Sequence, residues 1–275
     1  MEQQTQTTVS RRHEGRICVL TLCTGPKANP LTIAVQRDLL AILGEVSGDP
    51  SVGALVLTGA GRTFCTGADL SSMGEAGPPG SPTSVGNTTG DVMRELTNPL
   101  VLKLRDFPVP VVIALNGAAA GAGVGLALSG DFLLAGSSAF FYLPFMPNLG
   151  IVPDMGSSWF LTRQLGVARA TALMLLGERL PAEQARQWGL VHAVVPDGEL
   201  LAQAMMLAAR LAALPAGAAR EIRALVDAAL SNTLPAQLDL EAARQRVLID
   251  GPDFAEGVRA FIGKRPPLFT VGAPG

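Results

Sequence analysis

The stretch from Val111 to Asp131 carries the clearest sign of chemistry in this sequence. It contains a β-branched apolar run, a break at Asn116 and Gly117, and then small residues that predict a helix. A buried strand followed by a glycine-rich turn and a helix N-terminus directs free backbone N–H groups at one point. Such a site suits a group that becomes negative, either a phosphate or a developing oxyanion.

The glycine spacing disfavours a nucleotide at this turn. Gly121, Gly123 and Gly125 alternate, and Leu126 stands where the third glycine of a dinucleotide fingerprint belongs. Asp131 comes too soon for the acidic residue that such a fingerprint places about 20 positions on, and we expect it to be structural. No G-K-[ST] sequence follows, so a P-loop is also unsupported. The oxyanion interpretation is therefore favoured.

Asp154 is the candidate acid–base residue. It follows Pro153, just before a segment that predicts a helix. One interpretation is a helix N-cap, which the spacing by itself favours, and the other is a carboxylate that moves a proton. The sequence has only two histidines, His13 in a polar leader and His192 in a short predicted strand, where we expect it to be structural. Acid–base work therefore falls to a carboxylate.

The elements that must position these groups alternate between strands and helices in the first part of the chain. Apolar runs predict strands at 17–22, 53–58, 111–115 and 132–135. Helical spacing predicts helices at 31–46 and 91–105, and the alternation predicts a parallel sheet. Residues 59–69 are predicted to form a loop. Residues 71–90, crowded with Gly, Pro, Ser and Thr, predict a mobile loop that could be a lid.

The last third of the chain is predicted to be mostly helical. The predicted helices lie at 157–166, 168–176, 182–188, 199–213, 216–230 and 235–249. The Gly- and Pro-rich end that begins at Pro266 predicts a frayed tail.

Composition predicts a large buried core and narrows the classes of function. The 275 residues are 48% hydrophobic and 16% charged, with a formal net charge of −2 and no basic stripe for nucleic acid. The N-terminus lacks the apolar core of a signal peptide, and the glycine-rich stretch makes a poor membrane span. The three cysteines lack metal-binding spacing, so we expect no metal, free thiols and a reducing, cytoplasmic compartment.

Five segments, in their present order, resemble the crotonase (enoyl-CoA hydratase/isomerase) superfamily. They are FCTGADL at 64–70, IALNGAAAGAGVGLALSGD at 113–131, LGIVPDMGSSWFLTRQLG at 149–166, LLGERLPAEQARQWGLVHAVVP at 175–196 and FIGKRPPLF at 261–269. The resemblance spans nearly the whole chain and implies an α/β fold, a crotonase-like ββα spiral with a helical C-terminal trimerisation region. We assign residues 1–200 to the spiral core and 201–275 to the helical region.

The resemblance also implies an acyl-CoA thioester substrate and a homotrimer or dimer of trimers. Coenzyme A would be part of the substrate, with no tightly bound cofactor. The shared reaction step forms an enolate-like anion at the thioester carbonyl, and by position the backbone N–H groups of Ala68 and Ala122 would hold its oxygen. Lys264, with the neighbouring Phe261, would contact the coenzyme A moiety, and Arg62 is a further candidate for that role.

The chain departs from the family's hydratases at two positions. When the motifs are aligned, Gly125 and Met146 stand where those enzymes carry the two glutamates that hold and split a water molecule. Neither residue can move a proton, which disfavours hydration. Asp154 stands where some isomerising members carry an acidic residue, and the pattern is closest to the 1,2-epoxyphenylacetyl-CoA isomerase-like members. The resemblance thus favours catalysis by Asp154 over the N-cap.

An acyl-CoA isomerase, in fatty acid or phenylacetate degradation, is the leading interpretation. One carboxylate suffices for a 1,3-proton shift, because it can remove a proton from one carbon and return it to another while the oxyanion hole holds the dienolate. An Asp in an apolar acyl pocket would have a raised pKa, which suits this exchange. An enoyl-CoA hydratase of low activity and a non-catalytic acyl-CoA-binding protein on the same fold are the alternatives.

Overall fold

The structure is a computed structural model that describes residues 8–24, 28–70 and 77–269. Its strands are β1 (Val9–Glu14), β2 (Ile17–Leu22), β3 (Ala54–Gly59), β4 (Thr63–Cys65), β5 (Val111–Leu115), β6 (Ala118–Ala120), β7 (Phe132–Gly136), β8 (Phe140–Tyr142), β9 (Leu180–Pro181) and β10 (Ala193–Val195). Its helices are α1 (Ile33–Ser47), α2 (Val85–Val92), α3 (Asn98–Arg105), α4 (Ala122–Leu128), α5 (Ser157–Leu165), α6 (Val167–Leu176), α7 (Ala182–Gln187), α8 (Leu200–Ala212), α9 (Ala218–Ala229), α10 (Leu234–Ile249) and α11 (Pro252–Ile262).

The larger sheet of the described chain has six strands in the order β1-β2-β3-β5-β7-β10. Strand β1 is antiparallel to β2, and each later strand is parallel to its neighbour. Leu20, Leu57, Ile113 and Leu133 lie side by side in register across β2, β3, β5 and β7. Every residue of β3 and β5 is buried, as is typical of parallel strands covered on both faces. The predicted parallel sheet is confirmed.

Helices cover both faces of this sheet. On one face, Leu39 of α1 and Leu104 of α3 belong to the main hydrophobic core. On the other face, Ala204 and Ala208 of α8 belong to a second buried cluster with Val56 of the sheet. The four-residue spacing puts both alanines on one side of α8, so their small side chains let the helix lie close to the strands. The division of the chain at residue 200 stays a prediction, and α8 beyond it packs on the core sheet.

A smaller sheet holds the segments that form the candidate site. Its strands follow the order β4-β6-β8-β9, with β4, β6 and β8 parallel and β9 antiparallel to β8. Strand β4 lies within the stretch predicted to be a loop, so that prediction is wrong for Thr63–Cys65. Because β4 and β6 are parallel neighbours, the turns that follow them emerge at the same edge of the sheet.

Two further expectations need correction, and one strand lies where none was predicted. The predicted mobile loop is wrong from Val85 onward, because α2 forms there with the Ser84 side chain accepting from the Asn87 N–H at 3.2 Å; residues 71–76 of that prediction lie outside the described residues. The polar leader contributes β1, which pairs along its length with β2. The predicted frayed tail is wrong as far as Leu268, whose N–H donates to Glu256 Oε1 at 2.9 Å.

A largely buried ion pair attaches the C-terminal helices to the core. Arg223 of α9 donates from Nε to Asp131 Oδ1 at 2.6 Å and from Nη2 to Oδ2 at 2.5 Å. The same guanidinium donates to the carbonyl oxygens of Phe107 and Val109, and Asp131 accepts from the Val111 N–H at 2.7 Å. Asp131 therefore has a structural role, as expected. In the described part of the chain, no helix combines the length and apolarity needed to cross a bilayer.

Candidate active site

The glycine-rich turn lies between β6 and α4. Gly121 precedes the helix with φ 53° and ψ −129°, a conformation that favours glycine. Its N–H donates to the Tyr142 carbonyl oxygen of β8 at 2.9 Å, which fixes the turn to the smaller sheet. Ala122 is the first residue of α4, so its N–H has no acceptor within the helix. An amide at such a position can donate to a bound acceptor.

A second turn follows β4 and lies against the first. Gly67 has φ 82°, and a Cβ at this position would lie 2.8 Å from the Ala120 carbonyl oxygen and 2.9 Å from the Ala122 nitrogen. The Gly67 carbonyl oxygen accepts from the Leu31 N–H at 2.7 Å, which anchors the turn from the other side. The structure therefore brings together the two turns that carry Ala68 and Ala122, the residues expected to supply the oxyanion amides.

Cys65, at the end of β4, lies against α4. A Cβ on Gly123 would overlap the Cys65 carbonyl oxygen and lie 3.0 Å from Cys65 Cβ, so glycine is needed for this close approach. Burial, with a smaller contribution from the Asp154 charge, raises the pKa of the Cys65 thiol to about 12. The thiol therefore stays protonated near neutral pH and is no nucleophile. The electrostatic interaction also shows that Asp154 lies near the end of β4.

Asp154 is not the N-cap of α5. That position belongs to Gly156, with φ 72°, and no side chain caps the helix there. The Asp154 carbonyl oxygen, and not its carboxylate, accepts from the Ser157 N–H at 2.9 Å. The N-cap interpretation is therefore wrong. Within the described residues, Asp154 Oδ1 and Ser157 Oγ are both buried without a hydrogen-bond partner.

The Asp154 carboxyl has the electrostatics of an acid–base group. Burial disfavours its charged form and raises its pKa from 3.8 to about 6, while a hydrogen bond from its own backbone N–H lowers the pKa in part. Near neutral pH both protonation states are accessible, which is what a group that takes and returns a proton requires.

The two positions at which hydratases carry glutamates are occupied differently. Gly125 lies inside α4, where a Cβ would overlap the Met155 carbonyl oxygen and lie 2.5 Å from Met155 Cβ. The backbone at Met155 thus fills the space that a side chain at 125 would need. Met146 lies in a π-helical turn (Phe145–Leu149) and is 38% exposed. Neither position carries an acid, as the sequence indicates.

The three residues expected to contact coenzyme A lie in two segments, Arg62 before β4 and Phe261 with Lys264 at the end of α11. Phe261 is 86% exposed near the end of α11, and Lys264 follows that helix with φ 50°. Arg62 precedes β4, at the end of the strand opposite Ala68. The pKa of the Asp197 carboxyl is lowered mainly by hydrogen bonds from Ser138, and the Arg62 charge adds a smaller lowering. Only Ala68, Ala122 and Asp154 share one region of the described chain. Their roles, and those of the three remote residues, stay predictions.

Met155 is a site residue that sequence reasoning missed. It adopts φ 48°, although methionine disfavours this conformation, and it is buried between Asp154 and α5. Its residue type gives no signal of this conformation, and the only hint is the glycine that follows. Within the described residues, no group of three or more His, Cys, Asp or Glu side chains is arranged to hold a metal ion.

Comparisons with known proteins identify the family of this chain. A family model described as enoyl-CoA hydratase/isomerase matches residues 12–272. The 1,2-epoxyphenylacetyl-CoA isomerase of Escherichia coli K12 is 41% identical over 257 residues, covering 94% of this chain and 96% of that protein. A protein of Rhodobacter capsulatus named "Probable enoyl-CoA hydratase" is 41% identical over 254 residues, covering 92% and 94%.

The solved structures support the same fold. The crystal structure of an enoyl-CoA hydratase from Bacillus anthracis superposes with a TM-score of 0.88 at 28% identity, covering 97% of this chain and all of that one. The predicted crotonase-like fold with a helical C-terminal region is therefore confirmed. The chain belongs to the enoyl-CoA hydratase/isomerase family and is an enzyme of the hydratase/isomerase type.

Proposed function

We propose that this enzyme isomerises an acyl-CoA thioester by a 1,3-proton shift. The observation that carries the proposal is that Asp154, whose Oδ1 is buried and whose pKa is raised to about 6, lies near the two adjoining turns that carry Ala68 and Ala122. Gly125 and Met146 supply no carboxylate for activating water. This set of groups suits a proton transfer within the substrate better than the addition of water.

The reaction would run through an enolate-like anion. The Ala68 and Ala122 amides donate to the thioester oxygen, and ionised Asp154 removes a proton from one carbon. The C–H electron pair moves into the conjugated system, the oxygen takes the charge, and the protonated acid then delivers the proton to a second carbon. No atom is gained or lost. Each donor to such an oxyanion contributes about 3 kcal/mol to the lowering of the barrier.

The substrate class follows from the family and the relatives. Coenzyme A enters as part of the thioester, and Lys264, Phe261 and Arg62 are the candidate contacts for it. A double-bond shift in a 3-enoyl-CoA needs only this proton shift at the oxyanion site. In an epoxyphenylacetyl-CoA the carbon–carbon bond shared by the epoxide and the ring would also break, and its electron pair would join the conjugated ring system. The second substrate is favoured by the 41% identity to the E. coli isomerase and would place the enzyme in phenylacetate degradation. Free, buried Cys18 and Cys65 suit a cytoplasmic location.

Hydration is the competing activity, because the R. capsulatus relative is named for it. A hydratase would need a carboxylate to hold water, and position 125 has no room for one while Met155 keeps its place. The two activities are separable in one assay series that compares crotonyl-CoA hydration with isomerisation of 3-enoyl-CoA and epoxyphenylacetyl-CoA.

Asp154→Asn tests the proposed mechanism. We expect kcat for isomerisation to fall by about 100-fold or more, since the proton carrier is lost, while the Kd for an acyl-CoA measured by calorimetry stays within about threefold. The control is Asp91→Asn, the same change at an exposed aspartate paired with Arg94. Full turnover by Asp154→Asn, or hydration of crotonyl-CoA as fast as any isomerisation, would remove the proposal.

A further inference from the structure

Two successive left-handed residues form the corner after Asp154. Met155 has φ 48° and Gly156 has φ 72°. A non-glycine residue in this region of conformational space is disfavoured and persists only where its surroundings hold it. Met155 is 1% exposed, so the packing around it stabilises this left-handed conformation.

The surface that holds the corner is α4, at Gly125. The absence of a side chain at this position lets the helix backbone lie against Met155, whose carbonyl oxygen and Cβ both occupy the space of a potential Cβ. Helix α4 begins at Ala122, so Gly125 lies about one turn beyond the proposed oxyanion amide. One short helix therefore touches both halves of the proposed chemistry.

We propose that Gly125 and Met155 are positioning residues that hold the Asp154 carboxylate at the oxyanion turns. This inference rests on the proposed function, because it assumes that Asp154 moves the proton. A larger residue at 125 must push the Met155 backbone away from α4, and Asp154 must move with it because it precedes Met155 in the chain. Cys65 interacts electrostatically with Asp154 and stays protonated near neutral pH. A changed Asp154 titration would therefore reflect displacement of Asp154 and not a new charge on Cys65.

Gly125→Ala, compared with Gly44→Ala, tests this inference. A Cβ at Gly44 of α1 meets nothing within 4 Å, so this control makes the same change in a helix without a collision. We expect Gly125→Ala to lower kcat by about tenfold or more and to change KM less than about threefold, because a displacement of the reacting group by an ångström has effects of this size. The Asp154 titration, followed by carboxyl-carbon NMR and assigned with Asp154→Asn, should shift down by about one pH unit or more toward the ordinary value.

Two results would overturn the inference. One is an unchanged titration in folded Gly125→Ala, whatever happens to turnover. The other is an equal loss of kcat in Gly44→Ala, which would show that the helix and not the contact with Met155 matters. The NMR titration needs no substrate, so it reports on the positioning of Asp154 even if Asp154→Asn shows that the proposed function is wrong.

If Gly125→Ala does not fold, Met155→Gly and Met155→Val decide the question. Glycine adopts the left-handed conformation freely, whereas a β-branched residue strongly resists it. We expect the kcat of Met155→Gly to be about fivefold or more above that of Met155→Val. The Asp154 pKa of Met155→Gly should also lie closer to that of the parent enzyme. The same titration and kcat in both variants, or the reverse order, would contradict a positioning role for the corner.

Discussion

Asp154 is a partly buried residue whose Oδ1 atom is fully buried and has no hydrogen-bond partner in the described chain. Desolvation raises its pKa to about 6, so the folded protein binds this proton more tightly than the unfolded chain does. The stability contributed by that proton is fully present below the ordinary Asp pKa of about 3.9. It is lost as the pH rises through about 6, where the folded protein must ionise a poorly solvated group.

Asp154→Asn should therefore stabilise the protein in a pH-dependent way. At pH 8 the parent carries the buried charge, and removal of that charge should raise the free energy of unfolding by about 2 kcal/mol. At pH 4 the parent carboxyl is protonated and resembles an amide, so the difference should be near zero. Urea unfolding at the two pH values measures both quantities. A loss of stability at pH 8 would show that the charge has a stabilising partner.

Residue types and motif order predict some residues of the candidate site. Others depend on a local conformation that the sequence does not indicate. Ala68, Ala122 and Asp154 could be named from the sequence because each lies in a motif with a recognisable order. The conformation of Met155 could not be predicted from the sequence, since methionine adopts the left-handed backbone conformation only where tertiary packing stabilises it. The reason for glycine at 125 is likewise a contact between distant segments, which no local pattern encodes.

At the scale of elements, the site depends on two short parallel strands. β4 and β6 have three residues each, and they end at the two turns that hold the proposed amides. The two turns touch at Gly67. Its positive φ and its close approach to Ala122 are two independent reasons for glycine at this position. Gly80 distinguishes the two reasons, since its φ is 81° but a Cβ at this position meets nothing within 4 Å.

Gly67→Ala should impair catalysis much more than Gly80→Ala. Both variants bear the backbone cost of alanine at positive φ, about 1 kcal/mol, but only at Gly67 does the new methyl group force the turns apart. We expect kcat to fall by about 100-fold in Gly67→Ala, because the paired donors lose their common target, and to stay within about twofold in Gly80→Ala. Steady-state kinetics beside thermal melting makes the comparison. An equal loss of kcat in the two variants would show that the close approach of Gly67 to Ala122 has no catalytic role.

The elements themselves were predictable where burial is uniform. The apolar runs of β2, β3 and β5 marked the parallel sheet directly. β1 escaped prediction because five of its six residues are exposed along a charged edge strand. Helix α2 escaped because its sequence, VGNTTGDV, is poor in helix formers, and only the Ser84 cap and its tertiary setting favour it.

At the scale of the whole molecule, the C-terminal helices leave apolar surface uncovered in the single chain. Helices α9, α10 and α11 line an open cavity of about 600 Å³ whose walls include Ile222, Leu248, Phe254 and Phe261. The proposed homotrimer or dimer of trimers would cover such a surface. It would also explain why Lys264 and Phe261 lie on an exposed helix end, since their proposed coenzyme A contact could then be made to a neighbouring subunit.

Lys264→Ala tests the proposed contact between Lys264 and coenzyme A, because two thioesters with and without the nucleotide can be compared. If the ammonium binds a phosphate of coenzyme A, its loss should raise KM for an acyl-CoA about tenfold and leave kcat unchanged, because the contact is remote from the reacting carbons. A pantetheine thioester lacks the nucleotide and should show no rise in KM. Lys103→Ala is the control, since that ammonium donates to Ser47 Oγ at 2.9 Å on the core. A similar rise in KM for both thioesters would mean that Lys264 acts on the fold and not on coenzyme A.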